Sequence, residues 1–288
     1  MRTRLADHQM RRAASLDDAL AVLAKEPSAW MPFAGGTDLM VLMEAGKLPK
    51  RRFLSLWNVD VLRGVEVTTD AVKVGALATY SDLVADSTLQ REFPLVCAAA
   101  LETGAIAIQN RGTVGGNIAN ASPAADLPPA LLVYDAALHL ASVRGERVVP
   151  YAEFHKGYKA MDMAADELIT AVTIPRGRDG WQQTYRKVGT RRAQAISKVC
   201  FAAAMKIDAG KVKDVRIALG SVAPTVLRCT NTEAELRGQR LDAQTIKNAR
   251  ARLDREVQPI DDIRSNASYR RLVACNLLEQ FLSSGEPA

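Results

Sequence analysis

Residues 33–39, Phe-Ala-Gly-Gly-Thr-Asp-Leu, join a short apolar segment at 30–34 to a segment at 37–45 that is followed by Gly46. The apolar segment is typical of a strand, and the segment after the paired glycines is typical of a helix that ends at a glycine. A second strand pattern follows at 53–57. Parallel strands need a crossover connection such as this helix, so the pattern predicts a βαβ lobe with a small parallel sheet.

The middle of the chain predicts a second lobe of different construction. Alternating patterns at 64–75 and 138–150 predict two hairpins, and a strand pattern follows at 168–174. Compact apolar segments at 94–102 and 126–134 predict helices. We therefore expect a mixed or antiparallel sheet with helices in this lobe, and an α+β fold for the whole chain.

Residues 176–180, Arg-Gly-Arg-Asp-Gly, are the best candidate linker because they are polar and include two glycines. We expect a two-lobed domain at 1–177, with lobes at about 1–57 and 58–177, and a C-terminal domain at 178–288. The C-terminal patterns predict a three-stranded antiparallel sheet with helices, the strands at 182–188, 199–207 and 212–222 and the helices at 232–237, 242–257 and 269–283.

The composition excludes several classes of function. The 288 residues are 48% hydrophobic, yet no apolar run reaches the ~18 residues of a membrane span, and the first residues lack the apolar stretch of a signal peptide. The net charge of +6 is mild and aromatic residues make up only 5%, so the stacking platforms of nucleic-acid binders are not expected. We expect a soluble, cytoplasmic protein without nucleic acid as a partner.

Metal-ligating and catalytic sequence patterns are missing as well. The four cysteines stand far apart, which disfavours a zinc or iron–sulfur ligand set and favours reduced, buried thiols. The three histidines are also scattered, and neither a GxSxG elbow nor an HExxH helix occurs. If the chain belongs to an oxidoreductase, a bound cofactor must supply the chemistry.

Two glycine segments could bind an anion. Gly35 and Gly36 allow the backbone to turn and bring N–H groups close to a phosphate, and Thr37 adds a hydroxyl donor. Residues 111–126 combine three glycines with amides, a hydroxyl and a carboxylate, and read as a long loop with a positive φ at Gly116. Neither segment matches a P-loop or a Rossmann fingerprint. Taken alone, the first segment is more typical of a structural turn, and the second could also be an Asx-rich connection before a helix.

In these segments the chain resembles the FAD-binding medium subunit of the molybdenum hydroxylases, the family of xanthine dehydrogenase and carbon monoxide dehydrogenase. The resemblance rests on AGGTDL at 34–39 and TVGGNIANASPAADLPP at 113–129, which match in order and separation. Weaker matches cover most of the remaining chain, at 166–169, 174–175, 185–187, 196–199 and 219–225.

The resemblance implies a noncovalently bound FAD. The residues that would wrap its pyrophosphate are Phe33, Ala34, Gly35, Gly36, Thr37, Asp38 and Leu39. Further contacts would come from Thr103, Gly104, Thr113, Gly115, Gly116, Asn117 and Ala119. Asp126 would accept hydrogen bonds from the cofactor, and Ile169 would pack beside the isoalloxazine ring. Lys187 would lie near the polar edge of that ring, where a cation favours the reduced, anionic flavin; otherwise it is an exposed strand lysine.

The resemblance also implies an electron-transfer role in an oxidoreductase complex. A small partner subunit would carry [2Fe–2S] clusters, and a large one would carry the molybdopterin cofactor and the substrate pocket, in a single or doubled heterotrimer. Electrons would pass from the clusters to FAD and on to NAD⁺ or another acceptor. One alternative is a self-contained FAD-dependent oxidoreductase of the wider FAD-binding fold, which would need an acid, base or nucleophile of its own. Another is a nucleotide-binding scaffold without activity.

The chain departs from the family pattern at 104–111. Related chains often carry Gln and Arg where this chain has Ala107 and Gln109, so polar contacts from these two positions are in question. The chain also lacks the cysteine-bearing insertion of the 4-hydroxybenzoyl-CoA reductase branch. An additional iron–sulfur cluster is therefore not expected on this chain.

Overall fold

The N-terminal lobe is built on a small parallel sheet, as the sequence predicts, and this sheet has three strands. The computed structural model describes residues 8–48, 52–191 and 193–284. The sheet has the order β1-β3-β2, and the elements of the lobe are β1 (Gln9–Arg12), α1 (Leu16–Lys25), β2 (Met31–Phe33), α2 (Leu39–Glu44) and β3 (Arg52–Ser55). The strand β1 was not predicted, because its four side chains are all exposed and only its backbone pairs with β3.

The helix α1 begins after a capping serine. The Ser15 hydroxyl accepts a hydrogen bond from the N–H of Asp18 and so caps the first turn. Leu20 and Leu23 are buried on the face that packs on the sheet, beside Trp30. Burial of this apolar stripe, rather than helix propensity, holds the short helix against the sheet.

The second lobe contains an antiparallel sheet with strand order β4-β5-β10-β6-β7. Its strands are β4 (Val65–Val67), β5 (Ala71–Gly75), β6 (Ala137–Ser142), β7 (Gly145–Pro150) and β10 (Leu168–Pro175), and β8 (His155–Gly157) and β9 (Ala160–Met161) form a separate small hairpin. The helices are α3 (Tyr80–Ala85), α4 (Ser87–Glu92), α5 (Pro94–Glu102), α6 (Ile106–Gln109), α7 (Val114–Ala119), α8 (Leu127–Val133) and α9 (Tyr151–Phe154). The two predicted hairpins and the helices corresponding to α5 and α8 are confirmed.

The C-terminal part contains the three predicted antiparallel strands and a short fourth strand at the edge. The strands are β11 (Gln182–Val188), β12 (Val199–Asp208), β13 (Lys211–Gly220) and β14 (Leu227–Arg228), and the helices are α10 (Thr230–Leu236), α11 (Ala243–Glu256) and α12 (Ala267–Ser283). The α+β fold class is thus confirmed. None of the helices in the described ranges is long and apolar enough to cross a membrane.

The strand β12 joins the cores of the middle and C-terminal parts. Phe201 and Met205 are buried against the C-terminal helices, whereas Ala202 and Ala204 belong to the core of the middle lobe. Alternate side chains of a strand point to opposite faces, so a strand buried on both sides reads as one continuous apolar run. The irregular segment after β10 includes the predicted linker, and the domain division at residue 177 stays a prediction.

Charged side chains reinforce the contact between the same two parts. Asp135, just after α8, lies 2.7 Å from Arg178, 3.2 Å from Arg216 and 2.8 Å from Arg228. Burial opposes ionisation of Asp135, but the guanidinium groups of Arg228 and Arg216 outweigh it and hold the pKa of this carboxyl below its usual value. One carboxylate therefore connects α8 to the linker and to two strands of the C-terminal sheet.

Candidate cofactor-binding site

The first glycine segment presents a row of free backbone donors. Gly36 has φ +77°, a left-handed conformation that favours glycine, and it turns the chain between β2 and α2. Among the described residues, no acceptor takes the N–H groups of Gly35, Gly36, Thr37 or Asp38. Consecutive N–H groups at such a turn can surround an anion. We call residues 34–38 the phosphate loop.

The phosphate loop contacts the second glycine segment directly. A Cβ atom added to Gly35 would lie 1.6 Å from the carbonyl oxygen of Arg111 and 3.3 Å from the nitrogen of Gly112. Only glycine allows the two backbones to come so close. The contact fixes the distance between the two segments that the sequence singled out.

A cation–π stack holds Arg111 in this position. Its guanidinium carbon lies 3.7 Å from the centroid of the Trp57 ring, and that of Arg63 lies 4.5 Å from the same ring. Arg63 also donates a hydrogen bond to the Trp57 carbonyl. Trp57 follows β3, so the stack connects the parallel sheet to the second glycine segment.

The second segment is a short helix rather than the long loop that we expected. Thr113 caps α7 by accepting a hydrogen bond from the Gly116 N–H at 3.1 Å. The N–H groups of Val114 and Gly115 bond to the carbonyls of Ala78 and Ala76 at 3.0 Å and 2.8 Å. These donors are therefore already used, and Gly116 does not have the predicted positive φ. Tertiary hydrogen bonds stabilise a helix here despite its paired glycines.

The two glycines of α7 have different surroundings. A Cβ on Gly115 would meet the side chain of Ala76 at 2.7 Å, so this glycine allows α7 to pack closely. A Cβ on Gly116 would meet only the hydroxyl of Thr113, at 2.8 Å. Gly116 and Ala119 are exposed, one helical turn apart. This small-residue face leaves room for a ligand beside α7.

Ile169 lies on β10, the strand that Ala76 connects to α7. The N–H of Ala76 donates to the carbonyl of Thr170 at 2.9 Å, while the carbonyl of Ala76 accepts from Gly115. Ile169 itself is buried, at an irregularity in the pairing of β10 with β6. The predicted flavin-packing residue thus lies on a strand that is hydrogen-bonded, through Ala76, to the predicted dinucleotide-binding segment.

Asp126 and Lys187 form a buried ion pair at the other end of the second segment. The Lys187 Nζ lies 2.7 Å from Asp126 Oδ2 and 2.8 Å from the Glu102 carbonyl, and its side chain is only 3% exposed. Burial raises the pKa of Asp126 to about 6, with the Lys187 ammonium opposing that rise. Lys187 is therefore not the exposed strand lysine of the alternative interpretation.

The C-terminal sheet holds the backbone before Asp126 in place. The Tyr185 hydroxyl donates to the Asp126 carbonyl at 3.0 Å, and the Ser197 hydroxyl donates to the Ala124 carbonyl at 3.2 Å. The Ser221 N–H donates to the Pro123 carbonyl at 2.7 Å. The middle lobe and the C-terminal part thus both contribute residues to the site.

Thr103 and Gly104 lie next to the ion pair, since Lys187 bonds to the residue before them. The Thr103 hydroxyl donates to the Ala99 carbonyl at 2.7 Å, and Gly104 turns the chain with φ +66°. The Gln109 amide donates to the Leu101 carbonyl at 2.9 Å. Gln109 therefore bonds to the end of α5 in this structure.

Comparison with known proteins identifies the family. Residues 6–177 match the family described as FAD binding domain in molybdopterin dehydrogenase, and residues 183–284 match the CO dehydrogenase flavoprotein C-terminal domain. The chain belongs to the molybdopterin dehydrogenase FAD-binding family.

The FAD-binding subunit is similar to known proteins over nearly its whole length. It is 32% identical to the xanthine dehydrogenase FAD-binding subunit of Escherichia coli O157:H7, with 96% of this chain and 95% of the relative covered. It is 30% identical to the glyceraldehyde dehydrogenase medium chain of Sulfolobus acidocaldarius, at 91% and 92% coverage. A carbon monoxide dehydrogenase structure from Hydrogenophaga pseudoflava matches with TM-score 0.92, 26% identity and 96% coverage of both chains. The predicted family, FAD as cofactor and role as an oxidoreductase subunit are confirmed.

The site of the FAD-binding subunit suits a dinucleotide. The phosphate loop offers free N–H donors, and α7 offers an open face at Gly116. In addition, Asn117 Oδ1 and Asp126 Oδ1 are buried without a hydrogen-bond partner among the described residues. Buried polar atoms without partners are costly, so these two oxygens are suited to a ligand's donors.

Sequence reasoning missed three contributors to this site. Trp57 and Arg63 were not singled out, and Arg111 was noted only as the start of the glycine segment. No local pattern marks them, because Arg63 and Arg111 both follow Trp57, the second by more than fifty residues, and a stack between residues this far apart in sequence is visible only after folding. The individual roles of the predicted site residues stay predictions.

Proposed function

We propose that this chain is the electron-transfer subunit of a molybdopterin-dependent hydroxylase or dehydrogenase. In this proposal, electrons come from [2Fe–2S] clusters on a small partner subunit, pass through FAD on this chain, and leave to NAD⁺ or another acceptor. A large partner subunit carries the molybdopterin cofactor. The observation that carries the proposal is the phosphate loop, with its free N–H donors packed against the second glycine segment.

The phosphate loop binds the FAD pyrophosphate without a covalent bond. The N–H groups of Gly35 to Asp38 are oriented by the turn at Gly36, and the contact of Gly35 with Arg111 keeps this donor row beside α7. Neither glycine segment contains a histidine or cysteine that could form a covalent bond to the flavin. Phe33, Ala34 and Leu39 flank the donors; Phe33 packs beneath Gly36.

The second group of residues holds the remainder of the cofactor. Thr113 and Gly115 fix α7, while Gly116, Asn117 and Ala119 are on or beside its open face.

The flavin end of the site is assigned to Thr103, Gly104, Asp126, Ile169 and Lys187. Ile169 supplies an apolar surface for the ring, and Asp126 accepts hydrogen bonds. Bound FAD supplies the ability to take up and release electrons, which the side chains of this chain do not provide. Lys187 places a buried cation at this end and favours negative charge on the reduced ring.

The relatives differ in the substrates that their names specify: xanthine, glyceraldehyde and carbon monoxide. Their FAD-binding chains are nevertheless similar to this one, which favours a substrate pocket on the large partner subunit. The four cysteines are free and buried, in keeping with a reducing compartment, and we propose the cytoplasm.

The purified chain and the purified complex together test this proposal. We expect the chain alone to be yellow, to release FAD on acid denaturation, and to turn over no substrate. The complex pulled down through this chain should contain two partner subunits, molybdenum and iron. Substrate turnover by the chain alone would favour the self-contained flavoenzyme instead, and a colourless chain that gains no flavin from added FAD would favour the scaffold.

A separate experiment tests the acceptor. Electron transfer between flavin and nicotinamide is reversible, so NADH should bleach the flavin of the isolated chain if NAD⁺ is the acceptor. Dithionite serves as the control for a reducible flavin. Bleaching by dithionite but not by NADH would exclude NAD⁺ and indicate another acceptor.

A further inference from the structure

The small β8–β9 hairpin binds to the carboxyl end of α7. His155 Nε2 donates to the Ile118 carbonyl at 3.1 Å. At the tip of the hairpin, Lys159 Nζ donates to Asn120 Oδ1 at 2.7 Å and also to the Asn120 carbonyl. Lys159 has φ +57°, a left-handed conformation that is uncommon for a residue other than glycine. The tip of the hairpin is therefore held in a strained geometry that keeps its ammonium beside α7.

The charge of Asp38 in the phosphate loop acts on Lys159 from beyond ion-pair distance. Desolvation lowers the pKa of Lys159, and the negative charge of Asp38 opposes that change. Asp38 contributes one of the four free N–H groups of the phosphate loop. One ammonium thus bonds to the end of α7 through Asn120, and it lies close enough to the phosphate loop for the charge of Asp38 to act on it.

We propose that Lys159 is a binding residue for the FAD phosphates, supplied by the β8–β9 hairpin. This inference rests on the placement of FAD in the proposed function. Asp38 brings a negative charge to a loop that must also accept an anionic pyrophosphate, and like charges repel. Lys159 supplies the positive charge that compensates. Its two bonds to Asn120 hold it at the end of the helix face formed by Gly116 and Ala119.

A purely structural role of Lys159 would not depend on FAD or on salt. A lysine at the carboxyl end of a helix can simply cap its last carbonyl groups. That role would stabilise α7 whether or not FAD is present, whereas a phosphate contact would depend on the ligand's charge and on salt. The two roles therefore predict different results for the same variant.

The test compares Lys159→Met with Lys156→Met in the full chain stripped of flavin. Lys156 is in the same hairpin, and its Nζ lies 4.0 Å from Asp162 rather than near α7. The dissociation constant of FAD is measured by quenching of flavin fluorescence at about 20 mM and about 300 mM salt. We expect Lys159→Met to weaken FAD binding about tenfold at low salt and less at high salt, as for one lost charge-assisted hydrogen bond. Lys159→Arg should retain most of the affinity, and Lys156→Met should bind as wild type.

Three results would overturn the proposal. The first is a dissociation constant for Lys159→Met within about twofold of wild type. The second is an equal loss at both salt concentrations together with a lower melting temperature of the flavin-free chain, which would indicate a helix cap only. The third is an equal loss in Lys156→Met, which would indicate general surface charge. Gly35→Ala separates these from failure of the proposed site: if it too leaves FAD binding intact, the placement of FAD itself is wrong.

Discussion

Replacing Lys187 by methionine removes the cation of the buried pair and leaves Asp126 without it. The ammonium is 2.7 Å from the carboxylate, and the two side chains are 3% and 10% exposed. Methionine has a similar length and no charge, so it fills the same space. The effect on stability should therefore come from the charge of Asp126 rather than from a cavity.

The loss of stability in Lys187→Met depends on whether Asp126 stays ionised without a partner or takes up a proton. Breaking a buried ion pair by removing one partner typically costs about 3–5 kcal/mol. The orphaned carboxyl can also take up a proton, and for an ordinary pKa of 3.8 this costs about 4 kcal/mol at pH 7 and about 1.6 kcal/mol at pH 5. The wild type bears part of this cost as well, because its Asp126, with a pKa of about 6, is mostly protonated at pH 5 and costs about 3 kcal/mol when ionised at pH 7. Lys187→Met should thus lower the free energy of unfolding by about 1 kcal/mol more at pH 7 than at pH 5.

The pH dependence has a definite sign. A carboxyl whose pKa is raised on folding stabilises the folded chain at low pH, and this contribution is lost as the pH rises through the folded pKa. In the wild type that pKa is about 6; without Lys187, which opposes the rise, it should be higher still. The loss of stability between pH 5 and pH 7 should therefore be steeper in Lys187→Met than in the wild type.

Urea unfolding of the flavin-free chain at pH 5 and pH 7 measures both quantities. Arg186→Met is the matched control, because Arg186 is the exposed neighbour of Lys187 on the same strand. Adding Asp126→Asn to Lys187→Met should restore most of the lost stability at pH 7. The reasoning fails if Lys187→Met loses no more than Arg186→Met, or if its loss is the same at both pH values.

Three further predictions address other parts of the account. Gly35→Ala should abolish FAD binding, because its Cβ would overlap the Arg111 carbonyl. The control Gly157→Ala, whose Cβ has its nearest contact at 3.9 Å, should bind FAD normally. Equal flavin content in the two variants would contradict this prediction. Asp135→Asn should lower the free energy of unfolding by about 1–2 kcal/mol, a modest amount because solvent screens this carboxylate, and an unchanged urea midpoint would refute it. In a chain loaded with FAD, Lys187→Met should lower the flavin reduction potential with little change in FAD content, and coincident redox titrations would remove Lys187 from the site.

Local patterns predicted much of the fold because local chemistry decides those elements. Ser15 caps α1, and the continuous apolar run of β12 reflects burial on both faces. By contrast, the sequence predicts a loop at α7, because paired glycines disfavour a helix. The helix forms because its N–H groups find acceptors at Ala76 and Ala78. Tertiary hydrogen bonds of this kind leave no periodic signal in the sequence.

The candidate site, like the fold, could be predicted from the sequence only in part. The turn at Gly35 and Gly36 could be predicted from composition as an anion-binding backbone. The pairing of Asp126 with Lys187 could not, because it joins a helix start to a strand 61 residues later. Only the resemblance to a known family placed both in one site, and the structure shows that they are in direct contact.

The most direct test of the central claim is hydrogen exchange at the phosphate loop. In the proposed function, the free N–H groups of Gly35, Gly36, Thr37 and Asp38 bind the FAD pyrophosphate. Exchange of these four amides should slow markedly when FAD is added to the flavin-free chain, and also when ADP is added, because ADP carries the same pyrophosphate. Unchanged exchange at all four amides in a chain saturated with FAD would contradict the account.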